Sequence, residues 1–229
     1  MGRDFRNGAE HMAVGNGDDT TRSRLLSTAE RLFASQGVDT VSLREIIRAA
    51  GVRHSTAVQY HFGDREGLLS AILEHHCARV DIRRDAMLQQ YEADRITDPR
   101  SLAAALIRPL AAELTDPRGR LFLQIYSQLI LRAGSTILTD SGSSIWRWRA
   151  YTEPHLDPLA AQMHPRFAAL TYAATELARR ARERAHTDDR LFVSHIIDVV
   201  TAILCAPLSE ESRRLKEERD NKIGQRAAG

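Results

Sequence analysis

The stretch Val41–Leu69, VSLREIIRAAGVRHSTAVQYHFGDREGLL, decides how the chain is read. Ser42 stands three residues ahead of Glu45, the spacing that satisfies free amides at a helix start. Leu43, Ile46, Ile47 and Ala50 then recur at helical spacing, and Gly51 supplies a residue that accepts the left-handed backbone of a helix end. A second helix follows at once, capped by His54 or Ser55. Ala57, Val58 and Phe62 form its buried side, and Ser55, Thr56, Gln59, Tyr60 and His61 face outward. Gly63-Asp64 breaks it, and Asp64 caps a further helix that opens at Arg65.

So short a turn sets two helices at a steep angle, and the outer helix then presents its first turn as a ridge that fits a major groove. The residues on that ridge suit the task. Gln59 can pair bidentately with an adenine edge, Ser55 and Thr56 can bond to bases or phosphates, and Tyr60 and His61 can donate to phosphate oxygens. Arg44 and Arg65 lie near helix starts, where guanidinium groups and backbone amides together attract phosphate. With Ser42, Arg53 and His54 from the turn, these residues are the expected DNA contacts. Helical corners with a polar outer face are common, so the pattern alone leaves a plain structural corner open.

The preceding segment narrows the choice. Thr20–Gln36 carries Leu25, Leu26, Ala29, Leu32 and Phe33 on one stripe, with Arg22, Arg24, Glu30 and Arg31 outside, and Gly37 ends it. Three helices then share one small core. Across Leu32-Phe33-Ala34-Ser35-Gln36-Gly37, Ser42-Leu43-Arg44-Glu45-Ile46, Ala49-Ala50-Gly51-Val52 and Tyr60-His61-Phe62-Gly63-Asp64-Arg65-Glu66-Gly67-Leu68-Leu69, the chain resembles the TetR family of bacterial transcriptional repressors. The resemblance implies a DNA-reading N-terminal domain, a second helical domain that answers a small molecule, and a homodimer. Two departures stand out. Gln59 occupies a position where the family usually has Tyr, and the segment from Gly51 to Phe62 is one residue longer than the common pattern, which enlarges the turn around Arg53-His54. Arg65 replaces the family's usual Lys and adds a planar fork suited to phosphate.

Composition fits a soluble fold: 229 residues, 43% hydrophobic and 27% charged, with a net charge of +2. That balance is too even to identify a nucleic-acid partner, so the position of the charges carries the argument. Lys216 and Lys222 are the only lysines, and the arginines run evenly along the chain, as a coding bias would make them. Cys77 and Cys205 give no disulfide framework, and neither a secretion signal nor a bilayer-length apolar run is seen. A cytoplasmic protein without membrane contact is expected. Residues 1–19 lack apolar periodicity and read as a disordered leader.

Beyond Leu69 no alternating pattern persists, so the architecture is all-α. It comprises an N-terminal three-helix helix-turn-helix domain at 20–66, a helical effector-binding and dimerisation domain at 67–208, and a charged tail at 209–229 that frays. Leu68, Leu69, Ile72 and Leu73 begin a long connecting helix that runs to about Asp94. Further helices are expected over Ser101–Leu114, Gly119–Ala133, Phe167–Ala185 and Leu191–Leu204. Phe192, His195, Ile196, Val199, Val200 and Ile203 make one continuous stripe, and Ala169, Tyr172, Ala173, Glu176 and Leu177 make another. Two such helices from each subunit can build a four-helix interface across a two-fold axis, although the same stripes can pack inside one subunit. A symmetric dimer reads a roughly palindromic DNA operator.

Met87, Tyr91, Phe122, Tyr126, Trp146, Trp148, Tyr151, Met163 and Phe167 supply wall material for an apolar effector cavity, with Arg108, Gln124 or Gln128 to orient a polar end. The same side chains serve equally as ordinary core. Trp146-Arg147-Trp148 cannot put both rings on one helical face. No cofactor, metal site or enzymatic motif is expected. Adjacent helical residues diverge by about 100°, so His75-His76-Cys77 cannot clasp one metal, and no phosphate loop or nucleophile elbow occurs. The expected mechanism is a population shift, in which a small effector tilts the connecting helix and changes the spacing of the two reading helices. The competing readings are an architectural DNA binder or a helical interaction module without an effector.

Overall fold

Side-chain caps fix where several helices start. The Ser42 hydroxyl accepts from the Glu45 amide at 3.2 Å, Asp64 accepts from the Gly67 amide at 2.8 Å, and Asp98 accepts from the Ser101 amide at 2.9 Å. Each satisfies an amide that a helix start leaves without an internal partner. The computed structural model describes residues 9–133, 143–184 and 186–227, and no strand occurs among them. The helices are α1 (Ala9–Gln36), α2 (Leu43–Ala49), α3 (Ala57–Phe62), α4 (Arg65–Asp94), α5 (Pro99–Ala111), α6 (Pro117–Ala133), α7 (Ser144–Thr152), α8 (Pro158–Ala161), α9 (Pro165–Arg182), α10 (Arg190–Cys205) and α11 (Glu210–Ala227).

Glycine matters where helices meet. Gly51, at φ +65°, lets the chain leave α2, and Gly63, at φ +78°, lets it leave α3. Gly67 serves by close approach: a Cβ there would lie 1.9 Å from the Phe62 carbonyl oxygen, so α4 can start hard against the end of α3 only without a side chain at this position. The long α4 ends where expected, at Asp94, with Arg95 in the left-handed region.

The apolar residues gather in two cores. The head core joins Leu25, Phe33, Ile46, Val58, Leu68 and Ile72 from α1 through the first turns of α4, and Ile125 and Leu129 of α6 close it. The body core holds Leu88, Leu106, Phe122, Trp148, Ala173 and Val200. α6 therefore shows one face to each core, and the apolar floor of the head extends beyond residue 66. Gln128 strengthens this attachment: its Oε1 accepts from the Val38 amide at 2.9 Å and its Nε2 reaches the Phe33 carbonyl at 3.5 Å.

Three sequence expectations are corrected here. α1 begins at Ala9, so residues 9–19 continue the helix in place of a structureless leader, while residues 1–8 lie outside the described residues. Once Thr20–Gln36 is anchored, each added residue gains a backbone hydrogen bond at only the propagation cost. α3 is capped at Thr56, without a side-chain hydrogen bond, and not at His54 or Ser55, so the longer connection is taken up by Gly51–Thr56. The charged tail is helical as α11, with Arg214–Glu218 and Lys216–Asp220 ion pairs four residues apart, the spacing at which opposite charges support an exposed helix.

Candidate nucleic-acid interface

α3 is short, and only its inner side is buried. Ala57 and Val58 pack into the head core, and Phe62 is half-buried with the Arg22 guanidinium 5.1 Å over its ring. Arg53, His54, Ser55, Thr56 and Gln59 are exposed, and Tyr60 is 75% exposed despite its size. Tyr60 and His61 meet edge to face at 4.9 Å, and His61 is half-buried beside Phe62. Ser42 and Arg44 lie exposed at the start of α2. The head thus presents a polar ridge held from beneath by apolar packing.

A groove of about 550 Å³ runs beside that ridge, lined by Thr21 and Arg24 of α1, by Gly51, Arg53 and His54 of the connection, and by Thr56, Tyr60 and His61. The sequence marks Arg24 only as an outward residue on the first helix and does not place it in this groove. Its nearness to His54 and Tyr60 depends on how α1 crosses α3, and no local signal encodes that crossing.

Arg65 is a correction. It does not extend into solvent to meet phosphate: one guanidinium nitrogen donates to the Val41 carbonyl at 2.6 Å, another donates to the Val38 carbonyl, and the group lies 5.3 Å over the Phe33 ring. These carbonyls follow α1 and precede α2, so Arg65 ties the loop between those helices to α4. A guanidinium has enough donors to bridge both carbonyls, and a shorter polar side chain does not.

The expected effector wall does not assemble as one surface. Phe122 and Trp148 are fully buried body core, and Trp148 donates from its indole to the Leu102 carbonyl at 2.8 Å. Tyr126 is also buried, and burial pushes its hydroxyl well above the ordinary tyrosine range, so it stays neutral. Tyr151 donates between the Tyr91 and Ile96 carbonyls, closing the end of α4, while Met87 and Tyr91 pack half-buried against the core. Gln124 bonds within α6, and Gln128 is the strap to the head. Met163 and Phe167 lie on the outside, and Arg108 borders a separate surface groove between α5 and α10. Trp146 sits half-buried beneath Arg149, 5.0 Å away, on the other side of the helix from Trp148.

The interface stripes also divide. Ala169, Ala173, Leu177, Ile196 and Val200 are buried within their own subunit, because α9 packs on α6 and α10 on α5. These five are corrected from partner contacts to core. Tyr172, Glu176, Phe192, Val199 and Ile203 remain half-buried and His195 exposed on the outer side.

A trihelical head with a polar second helix on a wholly helical body defines a helix-turn-helix protein. Residues 25–72 match the model of bacterial regulatory proteins of the tetR family. It is 38% identical over 106 residues to the HTH-type transcriptional regulator AcrR of Shigella flexneri, covering 46% of this chain and 47% of that protein. It is 37% identical over 71 residues to the HTH-type transcriptional repressor AcnR of Corynebacterium glutamicum, covering 30% of this chain and 37% of that protein. The chain therefore spans about half the length of the first of these relatives and just over a third of the second. The fold matches that of NalD, the secondary repressor of the MexAB-OprM multidrug efflux pump in Pseudomonas aeruginosa, with a TM-score of 0.53 and 20% identity, covering 83% of this chain and all of that one. Among the described residues, no single helix is long and apolar enough to cross a membrane.

Proposed function

We propose that this protein is a DNA-binding transcriptional regulator that inserts α3 into the major groove of a duplex. The observation that carries the reading is the exposed ridge from Arg53 to Tyr60 on a head whose sequence matches the tetR family. Gln59 reads a base edge, while Arg53, Arg24 and Arg44 neutralise phosphate. Ser42 serves chiefly as a cap, and His54, Ser55 and Thr56 line the approach.

The finer reading is a homodimeric repressor on a palindromic operator. The outer residues Tyr172, Glu176, Phe192, His195, Val199 and Ile203 would meet their counterparts on a second copy, which sets two α3 helices on successive groove faces. Repression would follow from occupancy of a promoter; AcnR and NalD are both repressors. The effector, a small apolar or amphipathic molecule, would act by favouring a body that spaces the two heads wrongly. Beside Arg84, Phe122 and Tyr126 lies a cavity of about 30 Å³, enough for about one water, and the groove that Arg108 borders between α5 and α10 holds about 660 Å³. The competing reading is a DNA binder without an effector.

Genomic fragments selected by the purified full chain, followed by sedimentation and a thermal-shift screen of metabolites, test all three levels. A palindromic consensus, a dimer and a stabilising compound are expected. Sequence-blind binding would leave an architectural role, and no DNA binding at low salt would contradict the proposal.

A further inference from the structure

The most charged part of the interior lies where the head meets the body. Glu30 of α1 is fully buried and accepts a two-point bond from Arg118 of α6, at 2.9 and 2.7 Å. Glu113, in the 3₁₀ turn Ala112–Thr115, is equally buried and receives Arg83 at 2.7 Å and Arg79 at closer range. Between the two carboxylates stands His76 of α4, with no exposed surface and its ring stacked on Phe122 at 4.7 Å and 13°. Its Nδ1 lies 3.1 Å from Glu113 Oε2, and its Nε2 faces Glu30 Oε1 at 3.6 Å without a hydrogen-bond partner.

We infer that His76 is a proton-operated pin between head and body, an imidazolium that bridges Glu30 and Glu113 and whose deprotonation loosens α1 from α4 and α6. A neutral imidazole carries one N–H only. If Nδ1 donates to Glu113, Nε2 turns a lone pair toward a buried carboxylate; the other tautomer turns its Nδ1 lone pair toward Glu113, with Arg79 Nη2 at 3.2 Å as the donor it meets, and leaves Glu113 without a donor from the ring. Only the doubly protonated ring presents a donor to each acid.

The surrounding charges are consistent with that state. Burial alone disfavours a charged His76, but the bond to Glu113 and the charges of Glu30 and Glu113 outweigh it and hold the group above the ordinary value of 6.5. Glu30 and Glu113 are both shifted down, Glu113 to about 2, so both face the ring as carboxylates. Asp116 accepts from Arg79, and the neighbouring His75 is shifted down, chiefly by burial and then by His76 itself. A group raised on folding contributes its full stabilisation below its unfolded value and loses it as pH rises through the folded value. Alkaline conditions are therefore the ones that open the junction.

The effect on operator binding rests on the proposed function; the pin itself does not. The test uses the full chain with ¹³C-labelled histidine rings, titrated by NMR from about pH 5.5 to 9.5, alongside amide exchange of α1 corrected for the intrinsic rate. One ring signal, lost in His76→Gln, is expected to titrate above 6.5 and to move down by about one unit or more in Glu30→Gln. α1 protection should fall through the same pH range in the wild type and lose that dependence in Glu30→Gln. Should His76→Gln not fold, the Glu30→Gln displacement assigns the signal. A His76 ring already neutral at pH 6.5, or α1 protection indifferent to its titration, would overturn the inference. If the titrations behave as expected but no duplex binds at any pH, the pin stands and the proposed function falls.

Discussion

The outer face of α3 and the junction beneath α1 use polar residues in opposite ways. On α3 the side chains of Gln59 and Tyr60 stand in solvent over the apolar packing of Ala57 and Val58. At the junction Glu30, His76 and Glu113 are withdrawn from water and bonded to one another and to Arg79, Arg83 and Arg118. On the proposed reading, the exposed polar groups set what the protein recognises, whereas the buried ones hold head and body in one arrangement. A substitution on the first surface should change binding and spare folding, and one at the second should do the reverse.

The largest effect should come from cutting the shared apolar support. Phe33→Ala in the head and Phe122→Ala in the body each remove a fully buried ring and should cost about 3–5 kcal/mol in denaturant unfolding. Because α4 and α6 contribute to both cores, both variants should still unfold in one transition; separate head and body transitions would break the comparison at its root. Next comes Glu113→Gln. Folding lowers Glu113 from 4.5 to about 2, so its stabilisation is complete above the higher value and is lost as pH falls toward the lower. Melting temperature of the wild type should drop across that acid window, and the variant should show a flatter profile from a lower starting point.

Smaller effects separate the residues of the head. Arg65→Ala should lower stability by about 1–2 kcal/mol through the loss of its two carbonyl bonds while leaving the salt dependence of DNA binding unchanged. A changed salt slope would restore it as a phosphate contact. Arg53→Ala should instead leave melting intact, weaken binding on every duplex, and reduce that slope by about 1. Gln59→Ala should cost about 1–3 kcal/mol on the selected site only, and equal loss on a scrambled duplex would make it a backbone contact.

Local rules made the head legible. Ser42, Gly51, Gly63 and Asp64 announce its boundaries within a few residues of themselves, and α2 through α4 start or stop accordingly. The apolar stripes of α9 and α10 were equally visible, but a stripe does not say which neighbour it faces; α6 and α5 occupy the sides that a second copy would otherwise have met. The same limit applies to Trp148 and Phe122, whose size suits a cavity wall or a core. His76 was noticed beside His75 and Cys77 and set aside as a metal site. Its partners Glu30 and Glu113 lie far along the chain in both directions, so no spacing could connect them. Arg65 looked like a phosphate contact because sequence position cannot reveal carbonyls from a loop some 25 residues earlier.

The claim that the outer face of α3 enters DNA can be tested by placing a photo-crosslinking residue at Tyr60, which is largely exposed. A matching probe at Leu191, equally exposed but on the body, serves as the control. Irradiation with a selected duplex should link DNA to position 60 and leave position 191 unreacted. Labelling at 191 without labelling at 60, under conditions where the duplex is bound, would contradict the account.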